Sequence, residues 1–366
     1  MLTLKPLLRF IGLSEANPGV WRAAYQYSLV IFLGIFAQLY YNLICSVLRS
    51  LGDSTTPLVF LLFSTVLNIG LDLLFILAFR LGVIGAAAAT VLAQAVSALL
   101  CLLYAFGKYP ELHLSGQDFR AELSVYAQHL SQGLPMGLQF SVLAIGIIVM
   151  QRALVGFDIG PDGIMAAGNP AQNGFGAANK LNSLIMTPVN GLGAAMTSFT
   201  AQNLGAGNHD RIRKGALQSL VMVSLLAAMA VGIGLLLTLG NAYLRIFLSA
   251  DKITMDTVRY GNTFLYVDYA MYLFLGFIFV VRNCIQGIGR SRFVLGAGAA
   301  ELVARIAVCL TLPAAVAGGV VSAQANPLAF YALCAADPMA WIAADIVLAI
   351  PFFRNILRRD YRYMNI

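Results

Sequence analysis

The sequence contains little charge for its length. Only 11% of its 366 residues are Asp, Glu, Lys or Arg, whereas 60% are hydrophobic. Soluble globular domains average about 25% charged and roughly 45–50% apolar residues. Apolar runs of about 20 residues, each long enough to cross a bilayer core of roughly 30 Å, recur along the chain. The composition excludes an ordinary soluble domain and predicts an all-α polytopic membrane protein.

Motifs of catalysis, metal binding and nucleic-acid binding are also missing. The apolar runs contain no HExxH, no GxGD and no Ser/His pair, and the three histidines form no cluster with metal-ligand spacing. Five cysteines occur singly, without a CxxC pair, as is typical of packing residues. The net charge of +7 comes from Lys and Arg scattered in short loops rather than from one basic face. These absences argue against an enzyme, a metal site and a nucleic-acid partner.

Nine apolar runs have the length and composition of transmembrane helices. A polar interval after the third run divides the chain into a partial N-terminal lobe (1–107), an inter-lobe cytoplasmic loop (108–132) and a C-terminal lobe (133–366). The predicted spans are 24–49, 57–79, 83–106, 134–155, 177–202, 215–240, 262–285, 293–317 and 339–355.

Positive charges are distributed unevenly between the two sides that these spans define. With loops on alternating sides, twelve loop Lys and Arg residues fall on one side and six on the other, and nine spans add Lys5, Arg9 and Arg22 of the N-terminal segment to the side with six. The positive-inside rule makes the richer side, and with it the C-terminus, cytoplasmic. The twelve are Arg49, Lys108, Arg120, Arg211, Arg213, Lys214, Arg290, Arg292, Arg354, Arg358, Arg359 and Arg362. The six are Arg80, Arg152, Lys180, Arg245, Lys252 and Arg259.

Two segments of the chain are similar to each other. SVLRSLGDSTTP (46–57) aligns with NCIQGIGRSRFV (283–294) at an offset of 237, with Gly52 opposite Gly289. Each segment joins two apolar runs, but the second follows four spans of its lobe and the first follows only one. Nine spans also place the N-terminus on the side opposite the C-terminus. A duplicated transporter of two six-helix lobes that lacks the first three helices accounts for both features.

Eight motifs, taken in order, resemble those of the multidrug and toxic compound extrusion (MATE) transporters, most of all the DinF-like bacterial branch. They lie at Val47–Pro57, Asn68–Asp72, Gly82–Thr90, Gly133–Gln139, Gln202–Asn208, Arg282–Gly289, Glu301–Ile306 and Ala340–Asp345. The resemblance implies a two-lobe MATE-type helix bundle of about nine transmembrane helices, in which the first lobe is incomplete.

The same resemblance implies a function. It predicts a monomeric antiporter in the lipid bilayer of the inner membrane, which exports small organic cations or drugs in exchange for H⁺ or Na⁺ by alternating access and needs no cofactor. Two alternatives remain. One is a flippase for lipids or lipid-linked precursors on a related fold, which a prominently cationic cavity would favour. The other is a truncated fragment that does not transport.

One carboxylate lies in the middle of the second predicted span. A charged Asp at this depth costs about 2.5–3.5 kcal/mol on insertion scales, so Asp72 is expected to face a cavity, an ion or a partner rather than lipid. Asn68 and Ser64 lie one and two turns earlier on the same helical face. The family resemblance implies an ion- or proton-binding trio of Asn68, Asp72 and Thr90. The alternative is an interhelical hydrogen bond that only stabilises packing.

A second group of charges lies in the C-terminal lobe. Glu301 and Arg305 are one turn apart on the eighth span, and Asp345 lies on the ninth. These residues are candidates for the substrate cavity, where a carboxylate would balance a cation; the structural alternative is a self-satisfied Glu301–Arg305 pair. Further candidates are Gln38 and Gln139 for the cavity, and Arg282 and Gln286 for gating or packing.

Overall fold

The structure, a computed structural model, is mostly helical in the part of the chain that it describes, where extended structure is limited to one isolated bridge between Ile159 and Met165. The contacts divide the chain into an N-terminal unit, 1–121, and a C-terminal unit, 122–366. This division falls inside the interval that the sequence assigns to the inter-lobe loop. The described residues are 4–10, 18–113, 116, 122–160 and 162–358.

The N-terminal unit is organised around its longest helix. Its described helices are α1 (Leu4–Phe10), α2 (Pro18–Leu33), α3 (Ile35–Ser50), α4 (Thr55–Leu73) and α5 (Gly82–Lys108). Helices α2, α3 and α4 all pack against α5. The buried positions of α5 are occupied by Gly, Ala, Ser and Cys, which lets the neighbouring backbones approach closely. Leu48, Cys101 and Ala105 form a small core at one end.

The first predicted span, 24–49, is two helices rather than one. Helices α2 and α3 meet at Gly34 with a bend of 46°. A Cβ atom at Gly34 would fall within 3 Å of the Val91 side chain on α5, so the absence of a side chain allows this contact. The contact at the break involves Val91 of another helix, so the apolar run in the sequence does not indicate it.

The C-terminal unit is larger and has the main hydrophobic core. Helix α11 packs against α7, α8, α9 and α14, and α12 packs against α6, α13 and α14. The described helices are α6 (Leu123–Val155), α7 (Pro170–Ile185), α8 (Thr187–Gly205), α9 (His209–Leu239), α10 (Ala242–Phe247), α11 (Met255–Gly287), α12 (Ser291–Ala317), α13 (Pro327–Cys334) and α14 (Ala336–Phe352).

Most of the predicted spans correspond to helices that can cross a membrane. In the described residues, seven helices qualify by length and composition, and the bent pair α2–α3 makes an eighth. The fifth predicted span, 177–202, is occupied by α7 and α8, which join at Met186 and are not among the helices that qualify. The asparagines of these two helices, including Asn182 and Asn190, lower their hydropathy.

Two intervals predicted as loops contain helix. Helix α6 begins at Leu123, so the second part of the predicted loop 108–132 is helical. The predicted loop 318–338 contains α13 and the first turn of α14. The interval 108–132 is less apolar than the membrane spans, and polarity alone does not distinguish a loop from the exposed end of a helix. The helical part of 318–338 is apolar, and from Pro327 it belongs to one of the helices that qualify as spans. The family resemblance also implies that 1–107 corresponds to family helices 4–6 and 133–366 to family helices 7–12, and this assignment stays a prediction.

The two aligned segments form the same kind of backbone turn, and the duplication itself stays a prediction. Gly52 and Gly289 both have positive φ, 89° and 72°, a conformation that glycine adopts without strain. The amide of Asp53 donates to the carbonyl of Leu48 (2.9 Å), and the amide of Arg290 donates to that of Ile285 (3.2 Å). These are the same bond at an offset of 237. Both segments end one helix with the same left-handed glycine turn before the next helix begins.

Candidate functional site

The three residues of the predicted ion site lie on two neighbouring helices of the N-terminal unit. The amide nitrogen of Asn68 on α4 lies 3.5 Å from the hydroxyl of Thr90 on α5, which is a long hydrogen bond. The Thr90 hydroxyl donates to the carbonyl of Ala86 (3.1 Å). Asp72 is half-buried, and its Oδ1 has no hydrogen-bond partner among the described residues. The carboxylate therefore has a free acceptor atom beside an amide and a hydroxyl.

The helix changes its hydrogen bonding directly after this carboxylate. Residues Leu74–Ala78 form a π-helical turn, in which the amide of Phe79 donates to the carbonyl of Leu74 (3.0 Å). Such wide turns are frequent at functional sites because they rotate the residues on either side of them relative to each other. The π-helical turn begins at Leu74, two residues after Asp72.

Four charged side chains form a buried network in the C-terminal unit. Glu301 on α12 accepts from Arg282 on α11 (Oε2 to Nη2, 3.0 Å) and from Arg305 on its own helix (Oε1 to Nη2, 3.4 Å). Arg305 in turn lies 2.7 Å from Oδ1 of Asp337 on α14. The side chains of the first three are exposed by 10% or less, and that of Asp337 by 15%. The network joins three helices within the membrane-spanning part of the unit.

The geometry changes how the predicted residues group together. The Glu301–Arg305 pair exists, but the shorter contact of each member is with another helix. Arg282, predicted as a gating or packing residue, belongs to the same network as the two cavity candidates. The pair is therefore not self-satisfied, because its members are held from outside α12.

A fully buried carboxylate lies close to this network. Asp268 on α11 accepts through Oδ2 from the side-chain amide of Asn182 (2.8 Å), whose oxygen accepts from the hydroxyl of Tyr272 (2.8 Å). Its Oδ1 has no partner among the described residues. The charges of Asp337 and Arg305 both act on it. No positively charged side chain of the described residues forms an ion pair with Asp268, so this carboxyl has room for a proton or a cation.

The remaining predicted residues lie in different surroundings. Asp345 on α14 is half-buried, has an Oδ2 without a described partner, and feels the charges of Arg282 and Glu301. Gln139 on α6 is buried against Gly298 of α12. Gln38 on α3 is exposed, and Gln286 on α11 is half-buried.

Sequence reasoning missed Asp268 and Asp337. Asp268 lies in YVDYAMY, where a carboxylate within an apolar run gives the same signal that identified Asp72. Asp337 lies in CAADPMAW, a segment interpreted as loop, so no partner was assigned to it. The sequence contains one indirect signal for Asp337. Glu301 and Arg305 are spaced i, i+4, and Arg282 adds a second arginine to this one carboxylate, so a further carboxylate is expected nearby.

A protein-family model matches two segments of the chain, one in the N-terminal unit and one in the C-terminal unit. The MatE family model matches residues 1–74 and 168–311, more than half of the sequence. The chain belongs to the MatE family. It is therefore a multi-pass membrane protein of a transporter family, and the predicted fold class is confirmed.

Relatives of this MatE chain include proteins named for drug resistance. It is 32% identical over 272 residues to the probable multidrug resistance protein YpnP of Bacillus subtilis, an alignment that covers 74% of this chain and 57% of the relative. It is 27% identical over 235 residues to the probable multidrug resistance protein NorM of Thermotoga maritima, covering 63% and 48%. The chain thus spans about half the length of these curated relatives.

A solved structure supports the fold independently. A MOP superfamily transporter from Pyrococcus furiosus, described as having a binding pocket of reverse polarity that suggests a different function, matches with a TM-score of 0.77 at 18% identity. The match covers 96% of this chain and 75% of that one. At this identity the likeness establishes a shared MATE-type helix bundle and nothing finer.

Proposed function

We propose that this chain works as a secondary antiporter of the inner membrane, which exports organic cations or drugs in exchange for H⁺ or Na⁺. The observation that carries the proposal is the excess of buried acid in the C-terminal unit. Two arginines, Arg282 and Arg305, lie among four carboxyl groups of the membrane-spanning helices. The four are Asp268, Glu301, Asp337 and Asp345.

An acid excess in a low-dielectric interior needs a positive counter-charge. Isolated carboxylates there are costly, so they either bind a proton or hold a cation. Asp268 and Asp345 each have one oxygen without a described partner, and Asp72 has the same feature in the N-terminal unit. Binding and release of H⁺ or Na⁺ at such groups, linked to two access states, is the requirement for coupled exchange.

The flippase alternative requires the opposite charge balance, an excess of positive side chains over carboxylates. Phosphate-bearing or other anionic substrates are held by unpaired Arg and Lys side chains. The two buried arginines of the C-terminal unit are both paired with carboxylates. The buried charges of these membrane-spanning helices therefore favour organic cations as the substrate class.

The proposal is tested by reconstituting the full chain in proteoliposomes and following the fluorescence of ethidium, a planar organic cation. We expect ethidium movement driven by an imposed H⁺ or Na⁺ gradient. Asp72→Asn should lower it at least tenfold, because the amide neither binds a proton nor neutralises a cation. Asp256→Asn is the matched control, since this exposed carboxylate forms a surface ion pair with Arg259 (3.1 Å) and with no other described residue.

Two outcomes would count against the proposal. A folded, reconstituted chain that moves no ethidium under either gradient would support a non-transporting fragment. Gradient-driven movement that is undiminished in Asp72→Asn would remove Asp72 from coupling, and the same assay with Asp268→Asn would then show whether the C-terminal unit supplies the coupling carboxyl.

A further inference from the structure

Four arginines surround one cavity at an end of the C-terminal unit. The cavity has a volume of about 320 Å³ and lies between the first residues of α12 and the end of α14. Its basic residues are Arg290, Arg292, Arg354 and Arg358, and its apolar wall includes Phe293 and Ile350. This site shares no residue with the buried charge network or with the predicted ion site.

The backbone brings these arginines together from two distant parts of the chain. Arg290 and Arg292 flank the first residue of α12, whereas Arg354 and Arg358 belong to and follow a π-helical turn, Phe353–Leu357, that continues α14. Two of the guanidinium groups lie over neighbouring rings, Arg292 over Phe293 at 5.2 Å and Arg358 over Phe353 at 5.5 Å. Stacking of this kind orders the long side chains at the rim of the cavity.

The charged residues that line the cavity are all basic. None of its lining residues is Asp or Glu. No described carboxylate forms an ion pair with Arg292, Arg354 or Arg358. The positive-inside rule accounts for arginines at this end of the helices, but it does not require four of them to line one cavity.

The surroundings indicate an anion that has an apolar part. Both flanking helices are long and apolar enough to span a membrane, so the cavity lies where the hydrocarbon layer meets the headgroups. Ile350 and Phe353 beside it are 63% and 52% exposed, which gives acyl chains an apolar surface. Basic pockets between helices at the cytoplasmic membrane surface suit the phosphates of anionic lipids. Guanidinium groups bind phosphate oxygens through paired N–H donors.

We propose that this arginine cavity binds the phosphate group of an anionic phospholipid of the cytoplasmic leaflet. The guanidinium groups of Arg354 and Arg358 hold the phosphate from the side of α14, and the N-terminal end of α12 adds a favourable dipole. The acyl chains extend along Ile350 and Phe353. The proposal does not depend on transport activity, because it concerns only the bound lipid.

The test is native mass spectrometry of the purified full chain, titrated in mild detergent with cardiolipin, phosphatidylglycerol, phosphatidylcholine or inorganic phosphate. We expect one tightly bound anionic phospholipid and much weaker binding of phosphatidylcholine. The double variant R354Q/R358Q should bind cardiolipin about tenfold more weakly or worse, since each basic residue near an anionic surface contributes substantially. The variant R354K/R358K keeps the charge but loses the paired donors, so we expect an intermediate loss.

The matched control is R211Q/K214Q, which removes two exposed positive charges from the start of α9, on the same predicted side of the membrane. It should change cardiolipin affinity less than twofold. Equal losses in the two Gln variants would show diffuse attraction and overturn the proposal, as would no loss in R354Q/R358Q. Binding of inorganic phosphate without retained phospholipid would overturn it in favour of a soluble anion. Each variant is first checked by gel filtration, and R354Q and R358Q singly replace the double variant if it does not fold.

Discussion

Glu301 is the only carboxylate that contacts both buried arginines of the C-terminal unit in the described part of the chain. Arg282 and Arg305 approach its two oxygens at 3.0 and 3.4 Å. A buried ion pair adds little net stability when it is complete, because desolvation offsets the attraction. Removal of one partner is different, since the remaining charge stays buried without compensation. Arg282 has no other described carboxylate within ion-pair distance, so it depends on Glu301 most.

Glu301→Gln should therefore destabilise the protein by roughly 3–5 kcal/mol, the range found for broken buried pairs. The measurement is the free energy of unfolding in mixed detergent micelles with increasing SDS. Asp256→Asn, at the exposed Arg259 pair, should cost about 0–1 kcal/mol because water solvates both groups. Equal losses in the two variants would contradict the interpretation of the network.

Asp53 is a second carboxylate with several partners, but it lies outside the membrane spans, in the turn between α3 and α4. Oδ1 accepts from the backbone amide of Thr56 (2.9 Å), and Oδ2 accepts from the hydroxyls of Tyr109 and Thr56 (both 2.7 Å) and from Nζ of Lys108 (2.9 Å). The Thr56 amide, then the two hydroxyls and Lys108, hold the pKa of Asp53 well below its ordinary value. The carboxylate thus links the start of α4 to the end of α5.

Asp53→Asn should cost about 1–2 kcal/mol, mostly through the amide and hydroxyl bonds, because Lys108 is 46% exposed and its charge is screened. The lowered pKa sets the pH dependence. This stabilisation is complete above the unfolded pKa of about 3.9 and is lost as pH falls towards the lower folded value. The difference between wild type and variant in free energy of unfolding should therefore shrink below about pH 4. Ser54→Ala is the control, since the Ser54 side chain makes no capping bond; a loss as large as that of Asp53→Asn would contradict the prediction.

At the level of single residues, the sequence predicts which charges are unusual but not which charges meet. A carboxylate in an apolar run is recognisable at once, and Asp72 was found in this way. Helical spacing gave the Glu301–Arg305 contact because both residues are on one helix. The contacts with Arg282 and Asp337 depend on how α11 and α14 are rotated against α12, and no pattern within one helix contains that information.

At the level of helices, the crossing of α7 and α11 depends on a missing side chain. A Cβ atom on Gly174 would lie 2.5 Å from the carbonyl oxygen of Thr257 and 2.9 Å from the amide nitrogen of Gly261. Both are backbone atoms, which do not rotate away as a side chain does. The two helices approach this closely because α7 has glycine at the contact, as in other close helix pairs of membrane proteins.

Gly174→Ala should separate the two helices and destabilise the protein by about 1–3 kcal/mol, the usual cost of overpacking. Gly176→Ala provides an unusually close control, because it lies two residues away on the same helix and a Cβ there meets nothing within 4 Å. That change should be neutral or stabilising by up to about 1 kcal/mol, since alanine restricts the unfolded chain. SDS unfolding of both variants distinguishes them. A similar loss at both positions would contradict the prediction, because alanine is the better helix former and a Cβ at Gly176 meets no neighbour that could cause the loss.

The presence of helices was predictable along most of the chain, whereas the two breaks inside predicted spans were not predicted. Apolar runs of the right length give spans because the bilayer imposes that length. The break at Gly34 occurs inside an apolar run and brings the backbone against Val91 of another helix. The junction at Met186 is different, because Pro188 in the first turn of α8 marks it in the sequence. Helix α6 also continues beyond its apolar part into a polar segment, where hydropathy no longer reports it.

At the level of the whole molecule, the charge asymmetry predicts a cytoplasmic C-terminus, and the cysteines allow this orientation to be tested. All five native cysteines are buried and none is more than 5% exposed, so they should react slowly with a polar maleimide. Ala206 and Ala250 are both exposed. Ala206 precedes α9 and Ala250 follows it, and α9 is long and apolar enough to cross the membrane. The same substitution at these two positions therefore samples the two faces of the C-terminal unit.

We expect Ala250→Cys to react with a membrane-impermeant maleimide in intact cells, and Ala206→Cys to react only after permeabilisation. The reason is that the first turns of α9, which follow Ala206, contain Arg211, Arg213 and Lys214, and the positive-inside rule retains such residues in the cytoplasm. The reverse pattern would invert the topology and place the arginine cavity on the outer face. Labelling of both positions from outside would mean that α9 does not cross the bilayer. Because the unsubstituted protein serves as its own unlabelled background, either outcome is read directly from the two single variants.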